Sequence, residues 1–313
     1  MTNYSQFLPQ ILSNYALTIV HHEHLRTSEN VVIKLVSDSG RSYALRIRKI
    51  LGSYQEQISS ELVVLRDFSE RTQADIPAPL PTRNGRLFCT VTAGGDAYMC
   101  IVFSWVAGVH LGAGEITPRH MAFMAQAVSL LHNFSSAYHP PASLVRPVYD
   151  EEWFFGAPSW TTSADFVGRL DPGHAAYLRA ANDTIRARLR EHPRNAASFG
   201  LIHYDLHAGN FLFHDNGANM IDFDECGFGY YLFDLAHILF EFIDDPRFGA
   251  FKDVVAEHYT GARYSDRDLA LFLALQGIAY ANWLYRIFRR DGNTDAQKYW
   301  VPKIVERLKK VAG

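Results

Sequence analysis

The sequence predicts an α+β protein with a small antiparallel β-sheet lobe that contains one helix, followed by a larger, mainly α-helical lobe. Short β-branched runs separated by turn residues fill the chain up to Trp105. Beyond Trp105, apolar residues recur at helical spacing over segments too long for strands. A chain of 313 residues can build a core in each of two lobes. We therefore expect the lobes to span residues 1–105 and 106–313.

Two hairpins and a helix are predicted in the first lobe. VVIKLV and SYALRI, at residues 31–36 and 42–47, flank the turn signal DSG and predict a β-hairpin. Apolar residues at helical spacing from Gln55 to Phe68 predict a helix, which the prolines of residues 76–81 terminate. NGRLFCTV and GGDAYMCIVFSWV predict a second hairpin.

Three helices are predicted in the second lobe. Thr117 is a capping residue and Pro118 suits the first helical position, so they open a helix that ends near His132. Further helices are expected near residues 174–191 and at 269–290, and the latter is apolar enough to be buried.

One hairpin is the only β element expected in the second lobe. NFLF and ANMIDF, at residues 210–213 and 218–223, are joined by the turn residues of HDNG. If the two strands pair, their outer ends place Asn210 and Asp222 close to Asp205.

The composition excludes several classes of function. A net charge of −3 gives no electrostatic case for binding nucleic acid or an anionic membrane. The three cysteines have no CxxC spacing, and no apolar run reaches the length of a membrane span. The N-terminus lacks the pattern of a signal peptide, so a cytoplasmic protein is expected.

The motifs HYDLHAGN and MIDFDE predict the chemistry. The amide of Asn210 and the carboxylate of Asp222 are oxygen ligands suited to Mg²⁺. Asp205 is then left to accept a proton. The spacing matches the kinase template, in which a catalytic Asp is followed by an Asn and then by a metal-binding Asp-Phe-Gly, with Asp224 in place of the glycine.

HYDLHAGNFLF and MIDFDECGFGYYLFDLA strongly resemble the aminoglycoside phosphotransferase and choline kinase-like family, the small-molecule branch of the protein-kinase fold. Its usual motifs read HGDLHxGNxLF and IDFDDxGxGxxxxDLA. YALRIRK, SSELVVLRDF and IVFSWVAGVHL support the resemblance in the first lobe. The resemblance implies a bilobal protein-kinase-like fold, ATP and Mg²⁺ as cofactors (GTP is not excluded), and transfer to a small hydroxylated molecule such as an aminoglycoside, amino alcohol, sugar or homoserine.

The resemblance also assigns roles in the second half of the chain. Asp205 resembles the catalytic base, and Asn210 and Asp222 resemble the magnesium ligands. Asp234 resembles the buried aspartate that braces the catalytic loop, and His203 is expected to pack beneath that loop as structural support.

For the nucleotide, the resemblance assigns residues of the first lobe. Arg46 stands where the family has its phosphate-contacting cation, and Glu61 stands where the partner of that cation would be, with Glu56 as a rival. Phe103 and Trp105 belong to the segment whose backbone would contact adenine.

Two departures from the family pattern concern the loop over the phosphates and the catalytic loop. LRTSENVVI contains no glycine, so Ser28, Glu29 and Asn30 are the candidates for backbone contacts to phosphate. Tyr204 replaces the small glycine of HGD, which narrows the site or brings the ring to the acceptor.

Candidate acceptor contacts are Tyr204, His207, Asp224 and Glu225. Acidic residues near the site are compatible with a cationic acceptor, and equally with ordinary exposed carboxylates: Asp224, Glu225, Glu241, Asp244 and Asp245. An aromatic box for a cationic amine and plain core packing both remain open for Trp153, Phe154, Phe155, Trp160, Tyr280 and Trp283.

Other functions remain open. His203 and His207 flank Asp205, so this cluster could serve a metal-dependent hydrolase. A serine/threonine protein kinase of the same fold branch is the nearer rival, but only eleven residues separate Asp222 from Asp234, which is short for a peptide-binding activation segment. A catalytically dead binding module is a third class, and the sequence does not determine the oligomeric state.

Overall fold

The computed structural model describes residues 4–27, 30–51, 54–157, 159–292 and 295–312. The chain divides into two compact units. The first consists of Met1–Val109, His139–Arg146 and Asn219–Asp224, and the second of His110–Tyr138, Pro147–Ala218 and Glu225–Gly313. Two later segments of the chain thus return to the first unit, and the second of them carries most of the motif MIDFDE.

The first unit is built on a five-stranded antiparallel sheet of strand order β1-β2-β3-β5-β4. The alternation of apolar residues along β2 places Val31, Ile33 and Leu35 in the core. Both predicted hairpins are confirmed. The strands are β1 Ile19–Thr27, β2 Val31–Ser37, β3 Ser42–Lys49, β4 Cys89–Ala93 and β5 Asp96–Ser104.

Two helices belong to the first unit, α1 at Leu8–Leu12 and α2 at Tyr54–Thr72. The predicted helix is confirmed as α2, which buries its apolar stripe including Leu62 and Phe68. It ends at Thr72 because Gln73 adopts the left-handed conformation, with φ at 59°.

The second unit is mainly helical, which confirms the predicted fold class. Thr117 caps α3 by accepting the N–H of His120, and Gly292, at φ 63°, terminates α9 in the left-handed conformation. None of the described helices is both long and apolar enough to cross a bilayer. The helices are α3 Pro118–Ser136, α4 Glu151–Phe155, α5 Ala164–Val167, α6 Pro172–Glu191, α7 Tyr231–Phe240, α8 Phe248–His258, α9 Asp266–Asp291 and α10 Asp295–Ala312.

A three-stranded sheet shows that the expectation of a single β element in the second lobe is wrong. Its strands are β6 Val148–Tyr149, β7 Phe199–Ile202 and β10 Gly227–Tyr230, in the order β6-β10-β7. A Cβ at Gly227 would lie 2.6 Å from the carbonyl oxygen of Pro147, so glycine permits close strand approach. These short, glycine-rich strands lack the alternation that marks a strand in sequence.

The predicted hairpin forms, but its second strand is shorter than expected. β8 is Phe211–His214 and β9 is Gly217–Met220, and the two form a two-stranded sheet. Asn210 lies in a 3-10 turn before β8, and Asp222 lies beyond the end of β9.

Candidate active site

Asp234 braces the loop that follows β7. It lies in the first turn of α7 and is completely buried. Its carboxylate accepts the backbone N–H of His203 at 2.9 Å and that of Tyr204 at 2.8 Å, and it lies 3.1 Å from Nε2 of His132. Burial raises the pKa of Asp234, but His132 and the N–H donors lower it by more. The ionised carboxylate therefore fixes the loop.

Tyr204 occupies a backbone conformation that explains the family's preference for glycine. Its φ is 74°, in the left-handed region. The ring stacks on Tyr149 at a centroid distance of 3.6 Å and on Phe233 at 5.0 Å. The hydroxyl accepts the indole N–H of Trp153 at 3.1 Å. This aromatic stack stabilises a strained residue.

Asp205 presents an exposed, oriented carboxylate, with 43% of its side chain accessible. The amide of Asn210 donates to its backbone oxygen at 2.7 Å and to Oδ2 at 3.2 Å. Nε2 of His237 lies 3.8 Å from Oδ1, and Nε2 of His207 lies 3.9 Å from Oδ2. Those separations are too long for hydrogen bonds, so both carboxylate oxygens remain accessible.

His237 is a neutral neighbour of this carboxylate. Burial lowers its pKa, and the nearby Asp205 carboxylate only partly opposes the shift. Its Nδ1 lies 2.8 Å from the carbonyl oxygen of Tyr204, so the ring donates its one proton there. The Nε2 atom that faces Asp205 is then unprotonated and carries no positive charge.

Asn210 and Asp222 each carry an oxygen donor of a type that Mg²⁺ binds. The two N–H groups of Asn210 point to Asp205, and the described residues donate nothing to its Oδ1. The carboxylate of Asp222 is exposed, at a residue whose φ is 64°. Amide and carboxylate oxygens are the ligands that Mg²⁺ prefers.

The histidines of HYDLH do not form a metal site of their own. Within the described ranges, no group of three His, Cys, Asp or Glu side chains is placed to hold a metal. His203 is fully buried, and its Nδ1 accepts the N–H of Asp205 at 3.4 Å. Nδ1 of His207 accepts the N–H of Gly209 at 3.1 Å, which closes the 3-10 turn.

Arg46 and Glu61 form a buried ion pair in the first unit. Nη1 and Nη2 of Arg46 donate to the two carboxylate oxygens of Glu61, each at 2.9 Å. Glu56, the rival partner, is exposed. Burial lowers the pKa of Arg46, but the carboxylates of Asp224 and Glu61 more than offset this and raise it. The guanidinium therefore stays charged and fixed in orientation.

Asp224 was predicted to contact the acceptor. In the structure its carboxylate is bound by side chains of the first unit. Its carboxylate contacts Arg46, accepts from Nη1 of Arg48 at 2.6 Å, and accepts from the amide of Asn30 at 2.9 Å. Arg146 donates to its backbone oxygen at 2.6 Å. Burial raises the pKa of Asp224, but the two arginine charges lower it by more. This residue is an anion held among cations of the first unit.

Each of the two predicted adenine-contacting residues of the first unit lies against a cation. Arg46 lies over the ring of Phe103 at 5.0 Å, and Lys34 lies over that of Trp105 at 4.6 Å. Ser28 and Glu29, the other predicted phosphate contacts, lie outside the described residues. In the second unit, the carbonyl oxygen of Glu225 accepts the hydroxyl of Tyr149, while the residue itself is exposed.

The acidic residues that suggested a cationic acceptor are engaged elsewhere. Asp244 pairs with Arg307 at 2.7 Å and Lys310 at 2.6 Å, and Asp245 pairs with Arg247 at 2.6 Å. Oε2 of Glu241 accepts the N–H of Ala208 at 3.2 Å. Because Asp224 is also paired, these carboxylates give little support to a binding site for a cationic acceptor.

The predicted aromatic group divides between core and surface. Phe154, Phe155 and Trp160 are buried, which favours packing. Tyr280 stacks on Phe240 at 5.3 Å, again as part of the core. Trp153 is 41% exposed and is the member that contacts the catalytic loop.

Sequence reasoning did not single out three residues that contact the candidate side chains, His237, Arg48 and Arg146. His237 follows Asp234 by three residues on α7, so helical spacing could have placed both against the catalytic loop. Arg48 follows Arg46 by two residues on β3, and alternation puts both on one face. Arg146 lies in an irregular segment and carried no such signal.

A comparison with family models identifies the chain. Residues 24–271 match the model of the phosphotransferase enzyme family. The chain belongs to that family. This membership confirms the resemblance seen in the motifs and the predicted class of reaction, phosphoryl transfer from ATP to a hydroxyl group by a kinase.

Individual relatives of this phosphotransferase are distant. Amicoumacin kinase of Bacillus subtilis (strain 168) is 20% identical over 273 residues, covering 84% of this chain and 77% of the relative. A solved microcompartment-associated aminopropanol kinase has a TM-score of 0.76 at 23% identity, over 98% of this chain and 95% of that one. An amicoumacin kinase bound to AMP-PNP and Ca²⁺ has a TM-score of 0.77 at 17% identity, over 98% and 93%. These similarities confirm the kinase-like fold.

Proposed function

We propose that this protein is an ATP- and Mg²⁺-dependent O-phosphotransferase whose acceptor is the hydroxyl group of a small molecule, and that Asp205 is its catalytic base. The observation that carries the proposal is the state of the Asp205 carboxylate. It is exposed, oriented by Asn210, and adjacent to a neutral rather than cationic His237. A carboxylate in that state can accept a proton from a hydroxyl group.

In this reaction the protein itself has little bond making or breaking to carry out. Asp205 orients the acceptor hydroxyl and takes its proton as the oxygen bonds to the γ-phosphorus of ATP. The bond between that phosphorus and the bridging oxygen breaks, which releases ADP and a phosphate ester, and Asp205 then returns the proton to solvent. Mg²⁺, held by Asn210 and Asp222, would neutralise charge on the phosphates. Positioning and electrostatic stabilisation account for most of the rate enhancement.

Arg46 is the proposed phosphate contact in a nucleotide-binding lobe assigned to residues 1–105. Its Nε is buried and has no hydrogen-bond acceptor among the described residues. An unpaired buried donor costs free energy, and a phosphate oxygen would provide the missing acceptor. Glu61 keeps the guanidinium in place, and Phe103 lies beneath it.

The relatives support a small acceptor. Their names describe kinases of aminopropanol and of amicoumacin. The segment from Asp222 to Asp234 is a short 3-10 turn at Phe223–Glu225, then β10 and the start of α7, and it contains no extended platform for a peptide. We therefore assign residues 106–313 to the binding of a small molecule.

Acceptor-stimulated release of ADP tests the proposal. The panel should contain hydroxylated amines, sugars, aminoglycosides, homoserine and a generic protein acceptor, each assayed with MgATP and analysed for a phosphorylated product. We expect a small molecule to stimulate release and to gain one phosphoryl group. Stimulation by the protein acceptor alone would contradict the proposal.

A further inference from the structure

A cavity in the second unit lies directly beside the catalytic loop. Its volume is about 620 Å³, within the range of small-molecule sites. α4, the catalytic loop and α9 supply the walls, and the amide of Asn282 ties α9 to α4 by donating to the carbonyl oxygen of Phe154 at 2.9 Å. Its lining includes Trp153, Phe154, Tyr204, Asn282, Arg286 and Arg289.

The cavity is lined by the residue that precedes the proposed base in the chain. Tyr204 lines it and is bonded to Asp205. The strained backbone of Tyr204 is fixed by Asp234, and its ring is held by Tyr149 and Phe233. A molecule in the cavity therefore contacts a rigid wall formed by the residue that precedes the proposed base.

Two arginines in the lining have no carboxylate partner among the described residues. Arg286 and Arg289 follow Asn282 by four and seven residues on α9, so all three lie on one helix face. No described carboxylate lies within 4.0 Å of either guanidinium. Arg289 lies over the ring of Tyr285 at 5.9 Å. The charge of Arg286 also acts on the Tyr204 hydroxyl, whose pKa burial raises to about 12 and Arg286 lowers in part.

The acidic residues of the lining do not neutralise these cations. Oδ1 of Asp150 caps α4 by accepting the N–H of Glu152 at 3.1 Å, and Oδ2 pairs with Arg194 at 2.9 Å. Glu152 is the one remaining carboxylate in the lining. Two free arginines against one free glutamate leave the cavity with an excess of positive charge.

We propose that this cavity binds the acceptor and that Arg286 binds an anionic group on it, a carboxylate or a phosphate monoester. Guanidinium groups bind such groups through paired hydrogen bonds. Trp153 and Tyr204 pack against the carbon skeleton, and the hydroxyl group to be phosphorylated extends towards Asp205. This inference rests on the proposed function and specifies its acceptor as an anionic or zwitterionic alcohol.

Matched pairs of acceptors test the assignment. Each pair differs in one anionic group: L-homoserine with 3-amino-1-propanol, L-threonine with 1-amino-2-propanol, and glycerol 3-phosphate with glycerol. For each compound, kcat/KM is measured with MgATP, and binding without nucleotide is measured by calorimetry. We expect the anionic member of at least one pair to be preferred tenfold or more, and which pair responds distinguishes carboxylate from phosphate.

The variants Arg286→Gln and Arg267→Gln locate the effect. Arg267 is an exposed arginine nineteen residues earlier on α9, roughly 28 Å along the helix. Arg286→Gln should lower kcat/KM for the preferred anionic compound by roughly 10- to 100-fold, the worth of a charged hydrogen bond. The ratio of kcat/KM for the anionic member to that for its uncharged or cationic partner should therefore fall in Arg286→Gln, and Arg267→Gln should leave this ratio unchanged.

The outcomes separate this inference from the proposed function. Preference for the members without an anionic group, an unchanged anionic preference in Arg286→Gln, or binding of none of the compounds at millimolar concentration would overturn the assignment. Phosphorylation of a cationic alcohol by such a protein would still support the proposed function. Conversely, binding of an anion that requires Arg286, with no phosphorylation of any acceptor, would support the cavity and contradict the reaction.

Discussion

The guanidinium of Arg46 contacts the carboxylate of Asp224 while it is also paired with Glu61. Asp224 stands where protein kinases have the glycine of Asp-Phe-Gly. Its carboxylate is further held by Arg48 and Asn30. An aspartate at this position therefore anchors the segment that carries Asp222 to β3.

Replacing Asp224 by asparagine tests this anchor. Asp224→Asn removes the carboxylate charge that Arg46 and Arg48 share, so the free energy of unfolding should fall by roughly 3 kcal/mol. Urea denaturation measures the change. Asp38→Asn, at an exposed turn of the same unit, should change stability by less than about 0.5 kcal/mol. Equal losses in the two variants would show that Asp224 anchors nothing.

The strain at Tyr204 should reverse the usual order of alanine and glycine. Both Tyr204→Ala and Tyr204→Gly lose the stacked ring, at a cost of roughly 3–5 kcal/mol. At an ordinary position glycine is the less stable replacement, but at φ 74° a Cβ is penalised by roughly 1–2 kcal/mol. The glycine variant should therefore have the higher denaturation midpoint, and an alanine variant of equal or greater stability would contradict the strain.

The lowered pKa of His237 makes stability depend on pH. Burial holds its folded-state pKa below the ordinary value of 6.5. The unfolded chain therefore binds a proton at a pH where the folded protein does not. This stabilisation is fully present above pH 6.5 and is lost as the pH falls through the folded-state pKa.

A His237→Gln variant isolates that contribution. Unfolding free energies measured from pH 8 to pH 5 should decline less steeply in the variant, by up to about 1.4 kcal/mol per pH unit for the one proton concerned. His192, whose pKa burial also lowers, is present in both proteins and cancels from the comparison. Parallel curves would mean that His237 is protonated alike in the folded and unfolded states.

Asp222 should control binding of the nucleotide through the metal. Asp222→Ala should abolish the Mg²⁺-dependent part of ATP binding, because one of two proposed protein ligands is lost. Chelation of Mg²⁺ should weaken ATP binding to the wild type and have no further effect on the variant. Asp215→Ala, at an exposed hairpin turn, serves as the control. Unchanged MgATP affinity in Asp222→Ala would contradict the metal assignment.

Local patterns were sufficient to predict most of the fold. The β2–β3 hairpin, α2 and α3 follow from alternation, helical spacing and the cap at Thr117, which are properties of neighbouring residues. The sheet of β6, β7 and β10 could not be predicted in this way. Its strands are two to four residues long, are distant in sequence, and use glycine for close approach.

The candidate site shows the same difference between contacts within a short segment, which the sequence predicts, and contacts between distant segments, which it does not. The motif spacing located Asp205 and Asn210, and their hydrogen bonds lie within one short loop. The partners of Asp224 could not be predicted from the sequence, because they come from the residue before β2, from β3 and from a segment near residue 146, and no local pattern links them. The role of Asp244 and Asp245 stayed open in the sequence for a related reason, since their pairing with Arg307 and Arg247 is visible only in the folded chain.

The central claim is that Asp205 is the catalytic base, and the most direct test is turnover of Asp205→Ala beside its affinity for MgATP. We expect kcat to fall by on the order of 10²–10⁴ while the Kd for MgATP changes little, because the carboxylate acts on the acceptor hydroxyl. Asp215→Ala should retain both values. Near-normal turnover in Asp205→Ala would contradict the account.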